Sequence, residues 1–249
     1  MAQYTDCAGL TRGADGVKMM LSPTQPAGKV VQMLKLYENA SIIVLLQDSR
    51  SHNRKTGDTC NLWVQSKGVA SLACGDCPSL PRSQGGTASG KTSCYAWRGK
   101  PGLIVGKLRG APIATTAELR AAIRGRTIRS AVIGDLGMVP TDSFTSICAR
   151  LVSAGAAGVI GYTHQWRAAE HMRQTHMASA DSLADAQAAW SAGWRTFRVL
   201  DKATPAWRGR NEHGEIACPA WASNGKTLCV DCRMCDGANN KPSVAIAAH

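Results

Sequence analysis

At 249 residues the chain is long enough to bury a core of its own, so its ten cysteines are not required as disulfide staples. Lys and Arg number 29 against 17 Asp and Glu, a net charge of +12 that points to a polyanionic partner, with nucleic acid or a nucleotide first in line. No basic start leads into an apolar stretch and no run of about 18 apolar residues occurs, so neither a secretion signal nor a membrane span is expected, and the cytoplasm is the expected compartment.

Residues 1–28, with Pro23 and Pro26 and no sustained periodicity, read as a loosely ordered arm ahead of one domain over residues 29–249. The β-branched run Ser41 to Gln47 predicts a buried strand, and the alternating stretch Cys60 to Gln65 predicts its neighbour. Residues 66–102 are rich in Gly, Ser and Pro, too long for an ordinary loop and too polar for a core, so something other than apolar burial must order them.

From residue 115 the pattern is regular. Thr115 or Thr116 caps a helix through Arg124 with Glu118 in its first turn, and a strand from Arg129 to Gly134 ends at Asp135. Thr141 or Asp142 caps a helix to Ser153, stopped by Gly155. A strand from Gly158 to Tyr162 runs into Thr163 and His164, a short helix spans Arg167 to Arg173, and His176 to Ala180 is extended. Asp181 or Ser182 then caps a helix to Ala192, Gly193 ends it, and Trp194 to Leu200 completes the series.

Alternation at this interval predicts right-handed β-α units around a parallel sheet. There is room for about half the eight units of a full barrel, so the expected fold is α/β, a partial or irregular (β/α) TIM-barrel-like domain with cysteine-rich segments at 66–102 and 213–240. Chemistry in such folds sits where strands end, which makes Asp135, His164 and Asp181 the candidate catalytic residues, with Arg198 beside them.

Seven cysteines fall into two groups. Cys229, Cys232 and Cys235 form a C-x2-C-x2-C run with Cys218 upstream, a set of four thiolates suited to a 4Fe-4S cluster or to tetrahedral zinc. Structural zinc sites usually offer two separated C-x2-C pairs, whereas three cysteines at successive three-residue intervals wrap a cubane, so the cluster is preferred and zinc is the alternative. The first group, Cys74, Cys77 and Cys94, has one knuckle pair and a distant thiol; Cys60, His52, a water or a substrate could complete it, and a redox pair or plain structural thiols is the competing reading. Cys-Pro followed by Gly-Lys-Thr-x-Cys occurs in both groups, at Cys77 to Cys94 and at Cys218 to Cys229, which suggests two related cluster loops or two arms of one site.

Gly85 to Thr92 matches a phosphate-binding loop in letters only, because no apolar strand precedes it and Cys94 follows at once. His171 and His176 read as surface or capping groups. Trp97, Trp166, Trp207 and Trp221 stand in loops beside basic residues, where they could stack on bases.

The combination of Asn53 to Gly57, Cys74 to Pro78, Ser93-Cys94-Tyr95, Gly161 to Trp166, Met177 to Ser182, Gly193 to Val199 and Cys218 to Cys235 resembles a family of uncharacterised tailed-bacteriophage proteins over roughly residues 50–249. The resemblance implies an iron–sulfur α/β protein acting in the cytoplasm of an infected bacterium, with a nucleotide, a nucleic acid or a host protein as partner. A more distant likeness, of architecture alone, is to radical S-adenosylmethionine enzymes, whose C-x3-C-x2-C spacing is absent here. The expected function is therefore cluster binding in a redox or radical-type enzyme. The alternative is a zinc-stabilised nucleic-acid-binding protein without redox chemistry.

Overall fold

Ile42–Gln47 is apolar at every position but the last, and both of its faces are covered. The computed structural model describes residues 33–48, 54–80, 94, 108, 110–201, 203–205, 207–238 and 240–248. The expected arm, the Gly85 to Thr92 loop, His52 and Trp97 lie outside them. Strand β1 (Met33–Glu38) and strand β2 (Ile42–Gln47) form an antiparallel hairpin. Asn39 closes its turn by accepting the N–H groups of Ser41 and Ile42, each at 2.8 Å. Ile42, Val44 and Leu46 enter the main core, while Ile43 and Leu45 pack with Met33 and Trp63 on the other face. Strand β3 (Thr59–Ser66) pairs antiparallel with β2, as its alternation anticipated.

Strand β4 (Thr127–Ile133) and strand β5 (Gly158–Ile160) extend that sheet in parallel, giving the order β1-β2-β3-β4-β5. The second sheet takes strand β6 (Tyr162–Thr163), strand β7 (Met177–Ala180), strand β8 (Thr196–Leu200), strand β9 (Ile216–Ala217) and strand β10 (Val244–Ala247). Its order is β6-β7-β8-β10-β9, parallel at every pairing. The fold is thus mixed α/β with two parallel-rich sheets. The antiparallel hairpin at one end, and β9 and β10 at the other, extend the sheets beyond the units expected from the sequence.

Helix α1 (Ser71–Cys74) is a single turn. Helix α2 (Thr116–Ile123) opens with a complete capping box, in which Thr115 accepts the Glu118 N–H and Glu118 reaches back to the Thr115 N–H. Helix α3 (Thr141–Ser153) buries Phe144, Ile147, Cys148 and Leu151, one stripe at helical spacing. Its expected side-chain cap is absent: Pro140 holds the N-cap position, Thr141 is already the first helical residue, and Asp142 acts only as an acid in the positive first turn. Helix α4 (Leu183–Ser191) is capped by Ser182, whose hydroxyl accepts the Asp185 N–H at 3.0 Å.

Two further expectations change. The strand Gly158 to Tyr162 is divided at Gly161, whose N–H donates to the Cys235 carbonyl at 2.8 Å and whose own carbonyl accepts from Met177 at 3.0 Å. The two sheets meet there, and a Cβ on Gly161 would stand 2.7 Å from that of Ser130. The short helix at Arg167 to Arg173 is a 3-10 turn over Glu170–Met172. One apolar core nevertheless runs from Leu34 and Leu62 through α2 and α3 to Met172, Ala178 and Trp194, so both sheets bury against the same cluster. Each fully buried Leu or Ile in it contributes roughly 1.5–3 kcal/mol.

Candidate metal centres

The tail thiols are brought together by tight turns. Cys218 is the N-cap of helix α5 (Pro219–Ala222), and its N–H donates to Ala245 of β10 at 2.9 Å. Helix α6 (Cys229–Cys232) is one turn, so Cys229 and Cys232 share a face. Arg233 then adopts the left-handed conformation at φ 48° and ψ 27°, which bends the chain towards Cys235. The Arg233 guanidinium donates to the Ala157 carbonyl at 3.1 Å and to Thr127 at 3.2 Å, fixing this turn to the start of β4. Gly237, at φ 76°, runs so close to β7 that a Cβ there would meet the His176 nitrogen at 2.5 Å.

Burial first, and then Cys218 and Cys232, push the Cys229 thiol up to about 11 against the pull of Arg129 and Lys55. Burial and all three companions push Cys235 up strongly, opposed by Arg195. Cys232 is raised by burial, while the Met234 N–H at its sulfur and the charge of Lys241 work the other way. The four thiols are therefore electrostatic neighbours, and they cannot all ionise without a multivalent cation to hold them.

Two observations fit a thiolate-bound centre here. The Met234 N–H is the backbone donor that coordinated thiolates commonly accept. Arg195 is buried, donates to the Met234 carbonyl at 2.7 Å and Pro242 at 2.6 Å, and keeps Nη1 without a hydrogen-bond partner, 3.6 Å from Asp236. That guanidinium, ion-paired with Asp236 and electrostatically coupled to Cys235, has a hydrogen bond still to give, which suits a negatively charged sulfur centre. As they stand, no three His, Cys, Asp or Glu side chains among the described residues are drawn to the spacing that grips a single ion.

The first group also assembles. Cys74 ends α1, Gly75 turns the chain at φ 60° and ψ −133°, and the Cys77 N–H approaches the Cys74 carbonyl at 3.4 Å. Burial, then Cys77 and Cys94, raise the Cys74 thiol to about 12, so the three sulfurs expected together are neighbours. Cys60 does not join them: fully buried in β3, its thiol faces the Ala122 carbonyl at 3.7 Å.

His164, expected to act on a substrate, lines the cleft and also meets this group. Its Nε2 lies 3.2 Å from the Asp181 carboxylate, and its ring is also in hydrogen-bond reach of the Cys77 sulfur. Burial opposes the imidazolium, but Asp181 and Cys77 outweigh it and raise His164 to about 10. The neighbouring Gln165 donates to the Cys74 carbonyl at 3.2 Å and to Asp76 at 2.7 Å, clamping the cysteine turn from the other side.

Asp135 lies underneath rather than at a mouth. Its carboxylate accepts from the Thr163 hydroxyl at 2.6 Å, the Gly137 N–H at 2.8 Å and the His164 N–H at 2.8 Å, and its own N–H donates to Ala73 at 2.7 Å. With 5% exposure it holds chain to chain and carries His164 and Cys74 towards one another. Arg198 is equally occupied, paired with the fully buried Glu215. His176 is buried between Ser130 at 2.7 Å and Thr175 at 2.8 Å, which corrects its reading as a surface group.

A half-open cleft of about 190 Å³ adjoins His164 at the C-terminal ends of β6 and β7. Asp76, Asp181 and Asp185 line it with Trp166 and Arg167. The Arg167 guanidinium lies 4.0 Å over the Trp166 ring and pairs with Asp185 at 2.6 Å. Trp207 and Trp221 pack against one another at 5.6 Å. Arg195 and Gln165 were not singled out in the sequence, although both lie in segments that were. No family model, curated protein or solved structure matches this chain.

Proposed function

We propose that Cys218, Cys229, Cys232 and Cys235 hold a 4Fe-4S cluster, and that the protein uses it in redox or radical-type chemistry on a nucleotide or nucleic acid. The observation that carries the reading is the mutual coupling of four thiols around the left-handed Arg233 turn, with the buried Arg195 guanidinium coupled to Cys235. Among the described residues, Lys55, Arg129, Arg195 and Lys241 act on these thiols against a single carboxylate, Asp236, which pairs with Lys241 and Arg195, so the surroundings keep an excess of positive charge that favours accepting an electron. When bound, the cluster supplies one-electron transfer. Of the chain's own residues, Arg195 and the Met234 N–H orient and stabilise sulfur.

In this proposal the two sheets are parts of one irregular barrel. The place of action, the cytoplasm of an infected bacterium, rests on the sequence likeness to tailed-phage proteins alone. The excess of basic charge supports a polyanionic ligand.

The test is metal and sulfide analysis of anaerobically purified protein. Iron and acid-labile sulfide in equal amounts, a brown colour, and loss of both in Cys229→Ser are expected. Colourless protein whose tail cysteines hold a single zinc would replace the reading with a zinc-stabilised nucleic-acid-binding protein.

A further inference from the structure

We infer that Cys74, Cys77, Cys94 and His164 form a second, separate centre that binds one Zn²⁺, with Asp181 holding the histidine in place. Three thiols are electrostatic neighbours at the end of α1, and the His164 imidazole, in reach of Cys77, is fixed from behind by the Asp181 carboxylate. This is the arrangement of a histidine ligand: a carboxylate takes one ring N–H, sets the tautomer and leaves the other nitrogen to bind the ion. Three sulfur donors and one nitrogen complete a tetrahedral set of the kind that closes structural zinc sites.

The scaffold is built for positioning rather than for contact with a substrate. Asp135 ties the His164 backbone to the Thr163 hydroxyl and, through its own N–H, to Ala73 at the base of α1. Gln165 clamps Cys74 and Asp76. Gly75 sits at φ 60° and ψ −133°, a backbone conformation that residues with a side chain rarely adopt, so the turn between the two cysteines favours glycine, and a Cβ there would also displace the Gln165 amide that clamps it.

Charge separates this centre from the one in the tail. At the tail the Asp236 carboxylate is matched by Lys241 and Arg195. Here Asp135 lies beside Cys74, and Asp76 and Asp181 line the adjoining cleft, where Arg167 is taken up by Asp185. Extra negative charge is disfavoured among these carboxylates, so an ion that never changes its oxidation state suits them better than a centre that takes up electrons. The inference does not rest on the tail cluster. Zinc here fixes one wall of the cleft, because His164 and Asp181 belong to both.

The experiment uses the full chain, purified anaerobically, with zinc, iron and sulfide counted separately. One tightly held zinc per chain is expected beside the iron, and two where the tail cysteines hold zinc in place of a cluster, so failure of the cluster reading is distinguished from failure of this one. Zinc release to a competing chelator should become about 10–100-fold easier in Asp181→Asn and easier again in His164→Ala. His164→Cys, which restores a fourth soft donor, should hold zinc as firmly as the parent chain, with iron and sulfide unchanged in all three variants. Cobalt in place of zinc should give an intense thiolate-to-metal absorption that weakens in Cys77→Ser. Absence of zinc from reduced wild-type protein, equal zinc retention by His164→Ala, or loss of iron rather than zinc from that variant would overturn the inference.

Discussion

Glu215 has no exposure, and it neutralises an arginine that is almost as deeply buried. Arg198 meets both of its carboxylate oxygens, and Asn211 donates to one of them at 2.9 Å. Removing one partner leaves an uncompensated charge in the interior, so Glu215→Ala should cost about 3–5 kcal/mol in urea unfolding, while the apolar pair Arg198→Met with Glu215→Leu should cost less. His176 gives a pH-dependent counterpart. Burial lowers it from the ordinary 6.5 to about 3, so the unfolded chain takes up a proton at a higher pH than the folded one. Its contribution is complete above about pH 6.5 and declines as pH falls towards 3. Urea midpoints measured from pH 7 down to 4 should therefore fall less steeply for His176→Asn than for the parent chain. Neither residue announces this in the sequence: Glu215 stands in a polar stretch, and His176 is buried by partners from β4 and the tail.

At the scale of elements, what local chemistry determines was legible. The Thr115 capping box, the Ser182 cap, the apolar stripe of α3 and the glycines that follow the helices are read from neighbouring letters. Thr115→Ala should accordingly lower stability by about 0.5–2 kcal/mol in urea unfolding, without altering metal content. Strand β1 was not legible because Lys35 and Glu38 interrupt its apolar positions, and in the structure they answer each other at 2.6 Å. Strand β10 is half alanine, a residue that gives little strand signal. The division at Gly161 is set by Ser130 and Cys235, both distant in sequence. Gly161→Ala should push against Ser130, cost about 1–3 kcal/mol and weaken metal retention in the tail, as read by thermal melting with metal analysis.

Across the whole molecule the grouping of cysteines followed their spacing, and the surroundings that distinguish the two groups did not. Lys55, Arg129, Arg195 and Lys241 come from separate segments to the tail thiols, and carboxylates from others come to the first group. Tyr162 and His164, two residues apart, touch one group each: Tyr162 is electrostatically coupled to Cys229 and Cys235, and His164 reaches Cys77. One short strand and the residue after it thus face both cysteine groups, which the position of His164 at a strand end does not announce in the sequence. Because Gly161, Arg195 and Arg233 all hang on the tail loop, chelation should lower the melting temperature of the molecule as one transition, rather than release the tail alone.

Strand β10 lies between β8 and β9 although it follows both in the chain. A nascent polypeptide that has emerged only as far as Cys235 has all its tail thiols but lacks the Ala245 carbonyl that fixes Cys218. For the proposed cluster this makes loading a late step: the four thiols take up their folded arrangement only once β10 is available to anchor Cys218.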